Sequence, residues 1–255
     1  MTPNGAAISV RPADGAGSFV GTGRECMGRE LSVVIPVYNE AATVAQVIGR
    51  VLAVPVDREI IVVDDGSTDG TGAILAGLAA KHPGITVLTH PENRGKGAAV
   101  RAGFARASGD VLIVQDADLE YDPGDYPALL SALDKPGVDL VYGSRILGHT
   151  PRGYAFYYLG GVLVSLVASL LFRAHLSDEP TCYKVFRRSL LGRLKLRCTG
   201  FEFCPEITAK ALRLGCVIRE VPIRYHARGF AEGKKIRWID GVKAVGCLVR
   251  YCLAG

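Results

Sequence analysis

The sequence predicts an α/β fold: a mostly parallel sheet covered by helices on both faces. Three observations carry this. Short β-branched runs alternate with stretches of helical spacing from Leu31 to Gly143. The run E-I-I-V-V-D, residues 59–64, is almost continuously apolar, as in a strand buried on both faces. Carboxylates follow two of the strands directly, Asp64 and Asp65 after one and Asp116 and Asp118 after another. Parallel sheets bind ligands at those carboxyl ends.

The elements follow in order. L-S-V-V-I-P-V, residues 31–37, reads as a strand ended by Pro36. Residues 40–54 read as a helix with Val44, Val47, Ile48 and Val51 on one face. After E-I-I-V-V-D comes the turn D-G-S-T-D, where Thr68 is placed to cap a helix over 69–81. I-T-V-L-T, helix 96–107, D-V-L-I-V-Q, helix 125–133 and V-D-L-V-Y-G complete this half. Beyond residue 150 the spacing predicts a strand over 181–186, a helix over 202–214 and an extended C-V-I-R-E-V-P-I-R-Y. Pro222 marks that last stretch as an edge or a bulge. A basic loop, A-R-G-F-A-E-G-K-K, leads to a final helix over 236–253, with Trp238, Val242, Val245, Val249 and Cys252 on one stripe.

A chain of 255 residues with 49% apolar content supports one core. The expected organisation is a single domain over 30–255, preceded by a disordered arm over 1–29 that is rich in Gly, Ala, Pro and Ser. A net charge of +5 suits an anionic substrate or a membrane surface. No dense basic tract with interleaved aromatics points to nucleic acid. The seven cysteines are odd in number and form no C-x-x-C, so neither a disulfide framework nor a structural zinc site is indicated.

D-A-D sets two hard oxygen ligands side by side, a donor set suited to Mg²⁺ or Mn²⁺. The bland alternative is a solvated acidic loop. The company of V-V-D-D-G-S-T-D argues against that, since Asp64 or Asp65 is placed to accept hydrogen bonds from a base or ribose. G-K-G at 95–97 opens a helix, a plausible phosphate seat, but matches no full glycine-rich signature. The histidines at 82, 90, 149, 175 and 226 are scattered and read as surface or satisfied residues.

Together V-I-P-V-Y-N-E, V-V-D-D-G-S-T-D-G-T, N-R-G-K-G-A-A-V-R-A-G, Q-D-A-D-L-E-Y-D-P and Y-G-S-R resemble the large inverting glycosyltransferase family of GT-A fold. D-E-P-T-C-Y-K-V-F, G-F-E-F-C-P-E-I-T-A-K and E-V-P-I-R-Y-H-A-R-G-F-A-E-G-K-K-I-R-W-I-D-G resemble its dolichyl-phosphate mannosyltransferase-like branch. The resemblance covers residues 31–251. It implies that Pro36, Tyr38, Glu40, Asp65 and Lys96 hold the nucleotide sugar with Asp64 and Ala117, and that Asp116 and Asp118 bind donor phosphates and metal. Glu120 stands where the family often has Gln as a further ligand. Ser144, Arg145, Arg228 and Lys234 fall at phosphate contacts, and Asp178 lies near the acceptor. The implied donor is GDP-mannose or a UDP-sugar, and the implied acceptor is a polyprenyl phosphate. A phosphate monoester is already anionic, with a second pKa of about 6, so it needs no strong general base. Positioning and charge stabilisation then carry the reaction.

Gly153 to Phe172 is twenty residues without a charge, long enough to cross a bilayer. A crossing would separate D-A-D from the E-G-K-K loop, so these residues read instead as helices at a membrane interface, with Tyr154, Tyr157 and Tyr158 at the boundary. Gly161, Ser165 and Ser169 form a small-residue stripe suited to another helix. The final helix carries Asp240, Lys243 and Arg250 and makes a poor span, so peripheral attachment at a cytoplasmic membrane face is expected. Two other readings stay open: transfer to a soluble hydroxyl acceptor, and a catalytically silent nucleotide-sugar-binding protein. Donor base, metal preference and oligomeric state are not set by these motifs.

Overall fold

The computed structural model describes residues 30–148, 155–228, 235 and 237–254, and only the backbone of 155–157. The expected arm, Tyr154 and Lys234 lie outside these residues, as does the side chain of Tyr157. Seven strands form one sheet: β1 (Leu31–Val37), β2 (Arg58–Asp64), β3 (Ile85–Thr89), β4 (Val111–Val114), β5 (Leu140–Ser144), β6 (Lys184–Arg187) and β7 (Ile218–Pro222). Their order is β3-β2-β1-β4-β6-β5-β7. Only β6 runs against its neighbours; the other pairings are parallel. The central strands are apolar because both faces are covered: Val33, Val34, Ile35, Ile60, Ile61, Val62 and Val63 are all buried.

Among the described residues there are eight α-helices: α1 (Val44–Ala53), α2 (Thr71–Lys81), α3 (Lys96–Arg106), α4 (Tyr126–Leu133), α5 (Ala155–Phe172), α6 (Arg188–Leu194), α7 (Phe203–Arg213) and α8 (Trp238–Leu253). On α1 the buried residues are Val44, Val47, Ile48 and Val51, the stripe that the spacing predicts. The helix starts later than expected, because residues 41–43 form a turn.

Four details differ from the sequence reading. β1 continues through Pro36 to Val37. The Val34 carbonyl accepts from Gln115 on the β4 side, whereas the Val37 carbonyl accepts from Asp65 on the β2 side. Pro36 therefore faces the side where β4 has already ended, and its missing N–H leaves no ladder bond unmade. Thr68 does not cap α2; the N-cap is Gly70, and Asp69 accepts from the Thr71 amide at 3.1 Å and from its hydroxyl at 2.5 Å. The small-residue stripe of α5 meets a loop rather than a helix. Ser165 Oγ accepts from the Glu179 amide at 2.8 Å and Ser169 Oγ from the Leu176 amide at 3.2 Å. Finally, the stripe of α8 points largely outward. Trp238 is 68% exposed and Val242 60%, while Ala244, Cys247 and Leu248 are the buried residues.

The expected edge position of Pro222 holds, since β7 closes the sheet. Residues Leu159, Leu163, Leu166 and Leu170 of α5 are also exposed, and α5 packs beside α8. Among the described residues no helix is long and apolar enough to cross a membrane.

Candidate active site

The carboxyl ends of β1 and β2 build one wall of the site. Asp65 is buried, and its carboxylate has three donors from the chain. His90 Nδ1 lies 2.6 Å from Oδ1, the Arg94 amide donates to Oδ1 at 3.0 Å, and the Gly95 amide donates to Oδ2 at 2.8 Å. Gly66 (φ +74°) makes the following turn, where a Cβ would fall 2.6 Å from the Glu92 backbone. Asp64 is turned away: its Oδ1 accepts from the Ser67 amide at 3.0 Å, and it forms no part of the cavity wall. Of this pair Asp65 lines the cavity, while Asp64 shapes the turn.

The end of β4 supplies the opposite wall. Gln115 is buried, accepts from the hydroxyls of Tyr126 and Tyr183 at 2.7 Å each, and donates to the Asp116 carbonyl at 2.9 Å. That fixes the backbone that carries D-A-D. Each side chain then meets a cation: Lys96 Nζ is 2.5 Å from Asp116, and Arg228 Nη2 is 2.9 Å from Asp118. Arg228 also reaches Glu40 at 3.3 Å, which Lys235 contacts at 2.8 Å. Lys235 further donates to the Tyr38 carbonyl. Burial, with Asp116 and Glu120 nearby, pushes the Asp118 carboxyl up to about 7. Glu120 itself is engaged by Tyr225 and Arg228. Its Oε2 accepts from the Tyr225 hydroxyl at 2.8 Å and its Oε1 from the Arg228 amide at 2.8 Å.

A third group centres on Arg145. Its amide and Nε both donate to Asp178 Oδ2 at 2.8 Å, and Nη2 donates to Oδ1 at 2.7 Å. Asp178 is buried. Burial alone would raise its carboxyl, but Arg145 outweighs that and holds it below the usual range. The Ser177 and Asp178 amides donate to the Glu220 carboxylate at 2.8 and 2.9 Å. Asp178 therefore orients Arg145. Ser144 shares a hydrogen bond of 2.7 Å with Ser177, accepts from the Leu147 amide, and does not line the cavity.

These walls enclose a cavity of about 920 Å³. Asp65, Lys96, Asp116, Asp118, Arg145 and Arg228 line its charged end, together with Pro36, Tyr38, Glu40, Ala117 and Glu120. An apolar arm runs outward between Leu163 and Val164 of α5 and Trp238, Val242 and Val245 of α8. Residues 32–194 match the model of glycosyl transferase family 2. The chain belongs to that family. It is 34% identical to polyprenol monophosphomannose synthase of Mycolicibacterium smegmatis, with 79% of each chain covered. It is 32% identical to dolichol-phosphate mannosyltransferase of Pyrococcus furiosus over 80% of its own length, and spans 59% of that relative. Glucosyl-3-phosphoglycerate synthase of Mycobacterium tuberculosis, crystallised with Mn²⁺, uridine diphosphate and glucosyl-3-phosphoglycerate, superposes with a TM-score of 0.67 at 26% identity. That match covers 88% of this chain and 80% of the other.

For a member of family 2, the donor set fits a divalent cation. Asp116 and Asp118 are hard oxygen ligands in one cavity, which Glu120 also lines. No cluster of three His, Cys, Asp or Glu ligands occurs among the described residues. Glu120, expected as a third ligand, lines the same cavity and accepts from the Tyr225 hydroxyl and the Arg228 amide. Further coordination would have to come from donor oxygens and water. His90, expected as a surface or satisfied residue, meets Asp65, and Gln115 and Glu220 hold site residues for which the motifs implied no such partner. Each acts on a site residue through a fold contact; Gln115 opens Q-D-A-D and Glu220 opens E-V-P-I-R-Y, so both stand in visible motifs.

Proposed function

We propose that this family 2 glycosyltransferase moves a sugar, mannose first among the candidates, from a nucleoside-diphosphate donor to a polyprenyl phosphate. One observation carries the reading: the cavity joins a charged end to an apolar arm. Two anionic groups need cations at one end, and an isoprenoid chain needs apolar walls at the other. The names of the two polyprenyl-type relatives support the same acceptor.

In this reading Asp65, Pro36 and Tyr38 hold the nucleoside, and Lys96 and Arg228 face the donor diphosphate. Arg145, fixed by Asp178, holds the acceptor phosphate. An acceptor oxygen attacks the anomeric carbon as the bond to the diphosphate breaks, which inverts the configuration. The acceptor is already ionised, so no side chain must remove a proton. A divalent cation on Asp116 and Asp118 would supply positive charge for the leaving diphosphate.

The exposed apolar residues of α5 and α8 support peripheral seating on a bilayer, with Arg237, Lys243 and Arg250 for anionic headgroups. The cytoplasmic face follows from the expected location of nucleotide sugars. The test is transfer of labelled sugar from GDP-mannose, UDP-glucose and UDP-N-acetylglucosamine, with Mn²⁺, Mg²⁺ or chelator, and with or without polyprenyl phosphate in liposomes. Metal-dependent label in the lipid phase is expected. Donor hydrolysis by folded protein with no lipid product would move the reading to a soluble acceptor.

A further inference from the structure

Lys96 begins α3, and its place is set from several directions. Gly95 before it has φ +93°, and a Cβ there would fall 2.5 Å from the Thr199 carbonyl. The same carbonyl accepts from the Ala98 amide at 3.0 Å. The loop that carries Thr199 is held by buried Glu206, which accepts from the Arg197 and Cys198 amides at 2.8 Å. The Lys96 side chain is 16% exposed, passes 5.7 Å from the Phe201 ring centroid and ends 3.7 Å from Cys182 Sγ. Its one carboxylate partner among the described residues is Asp116, at 2.5 Å. Despite burial, Asp116 keeps the ammonium charged, with its pKa well above the ordinary value.

Arg228 is arranged differently. It is shared between Asp118 and Glu40, so leaving one carboxylate does not strip it of its other anion. The Lys96–Asp116 contact is a single ion pair. A divalent cation that binds Asp116 meets the repulsion of an ammonium 2.5 Å from the same carboxylate. Metal and ammonium therefore compete for Asp116. A diphosphate in the same cavity is the anion that can receive the ammonium.

We propose that Lys96 occupies the cation position on Asp116 until metal and diphosphate arrive together, so that this one side chain couples the two binding events. The proposal rests on the donor reading above. Without nucleotide, Lys96 opposes the metal. With nucleotide, it moves to the diphosphate and the opposition disappears. Coupling of this kind is reciprocal: the factor by which nucleotide strengthens metal binding equals the factor by which metal strengthens nucleotide binding. It also keeps the acidic pair from binding metal unproductively in the absence of donor.

The test measures Mn²⁺ binding to the full chain by electron paramagnetic resonance of free Mn²⁺, alone and with GDP or UDP. Lys96→Met should bind Mn²⁺ alone about tenfold more tightly than the wild type, and the enhancement by nucleotide should shrink by a similar factor. Lys96→Arg, which keeps the charge, should behave like the wild type in the Mn²⁺-alone arm. Lys96→Gln repeats the measurement if the methionine variant does not fold, as judged by circular dichroism. Mn²⁺ binding alone that is no tighter in the neutral variants, or undetectable in every protein, overturns the proposal, as does an unchanged enhancement. If neither nucleotide binds the wild type with Mn²⁺, the donor reading fails separately, while the Mn²⁺-alone arm still decides whether Lys96 holds the metal's place.

Discussion

The two acidic clusters at the sheet's carboxyl ends are built in opposite ways. Asp64 and Asp65, after β2, are held by backbone amides and by the His90 ring, all groups that the fold itself fixes. Asp116 and Asp118, after β4, are balanced by the ends of long basic side chains, Lys96 and Arg228. Backbone donors cannot leave without undoing a turn, whereas an ammonium or guanidinium can swing away by rotating side-chain bonds. The first cluster suits recognition of an unchanging shape. The second suits a site whose charge must be exchanged during each cycle.

Substitutions can break this contrast. The largest effect is expected at the exchangeable cluster. Asp118→Asn should cut metal-dependent sugar transfer by about 10³-fold, measured with labelled donor at saturating metal. It should leave the melting temperature unchanged or raised, because burial disfavours this carboxylate. A drop in stability comparable to the loss of activity would show that Asp118 is structural and the contrast false.

A fixed carboxylate should respond in the reverse manner. Glu206 accepts from the Arg197 and Cys198 amides, Lys210 Nζ and the Tyr251 hydroxyl. Burial raises its carboxyl, but these donors outweigh it and the net shift is downward from 4.5. The unfolded chain therefore binds more protons than the folded chain below that value. The stabilisation is complete above pH 4.5 and is lost as pH falls through the folded pKa. Glu206→Gln should cost about 2–3 kcal/mol at pH 7 and flatten the acid limb of a denaturant-midpoint series. An acid limb as steep as that of the wild type would contradict this account.

The smallest effect sharpens the contrast within the first cluster. His90→Ala removes one of three donors to Asp65 and should raise the donor KM about tenfold with kcat nearly unchanged. His90→Asn, whose amide can donate from a similar place, should recover most of the loss. A fall in kcat at unchanged KM would instead place His90 with the reacting groups.

The same division explains what the sequence made legible. The strands of the β1–β4 half announce themselves because burial on both faces requires unbroken apolar runs, and α1 because four valine and isoleucine positions recur on one face. Asp116 and Asp118 were visible because their spacing is local. The direction of β6 was not, since K-V-F-R carries no mark of parallel or antiparallel pairing. Nor was α6, whose seven residues give too few turns for a period to show. His90 lies 25 residues from Asp65, and nothing in H-P-E-N-R-G marks the approach of its ring to a carboxylate. Thr68 misled because its residue type suits capping, whereas its amide donates to Asn39 Oδ1 at 2.8 Å and the N-cap falls two residues later, at Gly70. Asp178 and Ser144 have partners that no motif marks: Asp178 accepts from the Arg145 amide, and Ser144 shares a hydrogen bond with Ser177.

The reversal of β6 has an evolutionary consequence. The chain leaves the sheet at the end of β5 and returns through antiparallel β6, so the excursion from Arg145 to Tyr183 departs from and comes back to the same rim. A detour with both ends at one place can be lengthened, trimmed or rebuilt while β1 to β4 keep their register. Relatives of this chain can thus differ in the wall that Arg145, Leu163 and Val164 give the cavity, with no change to the order of the strands.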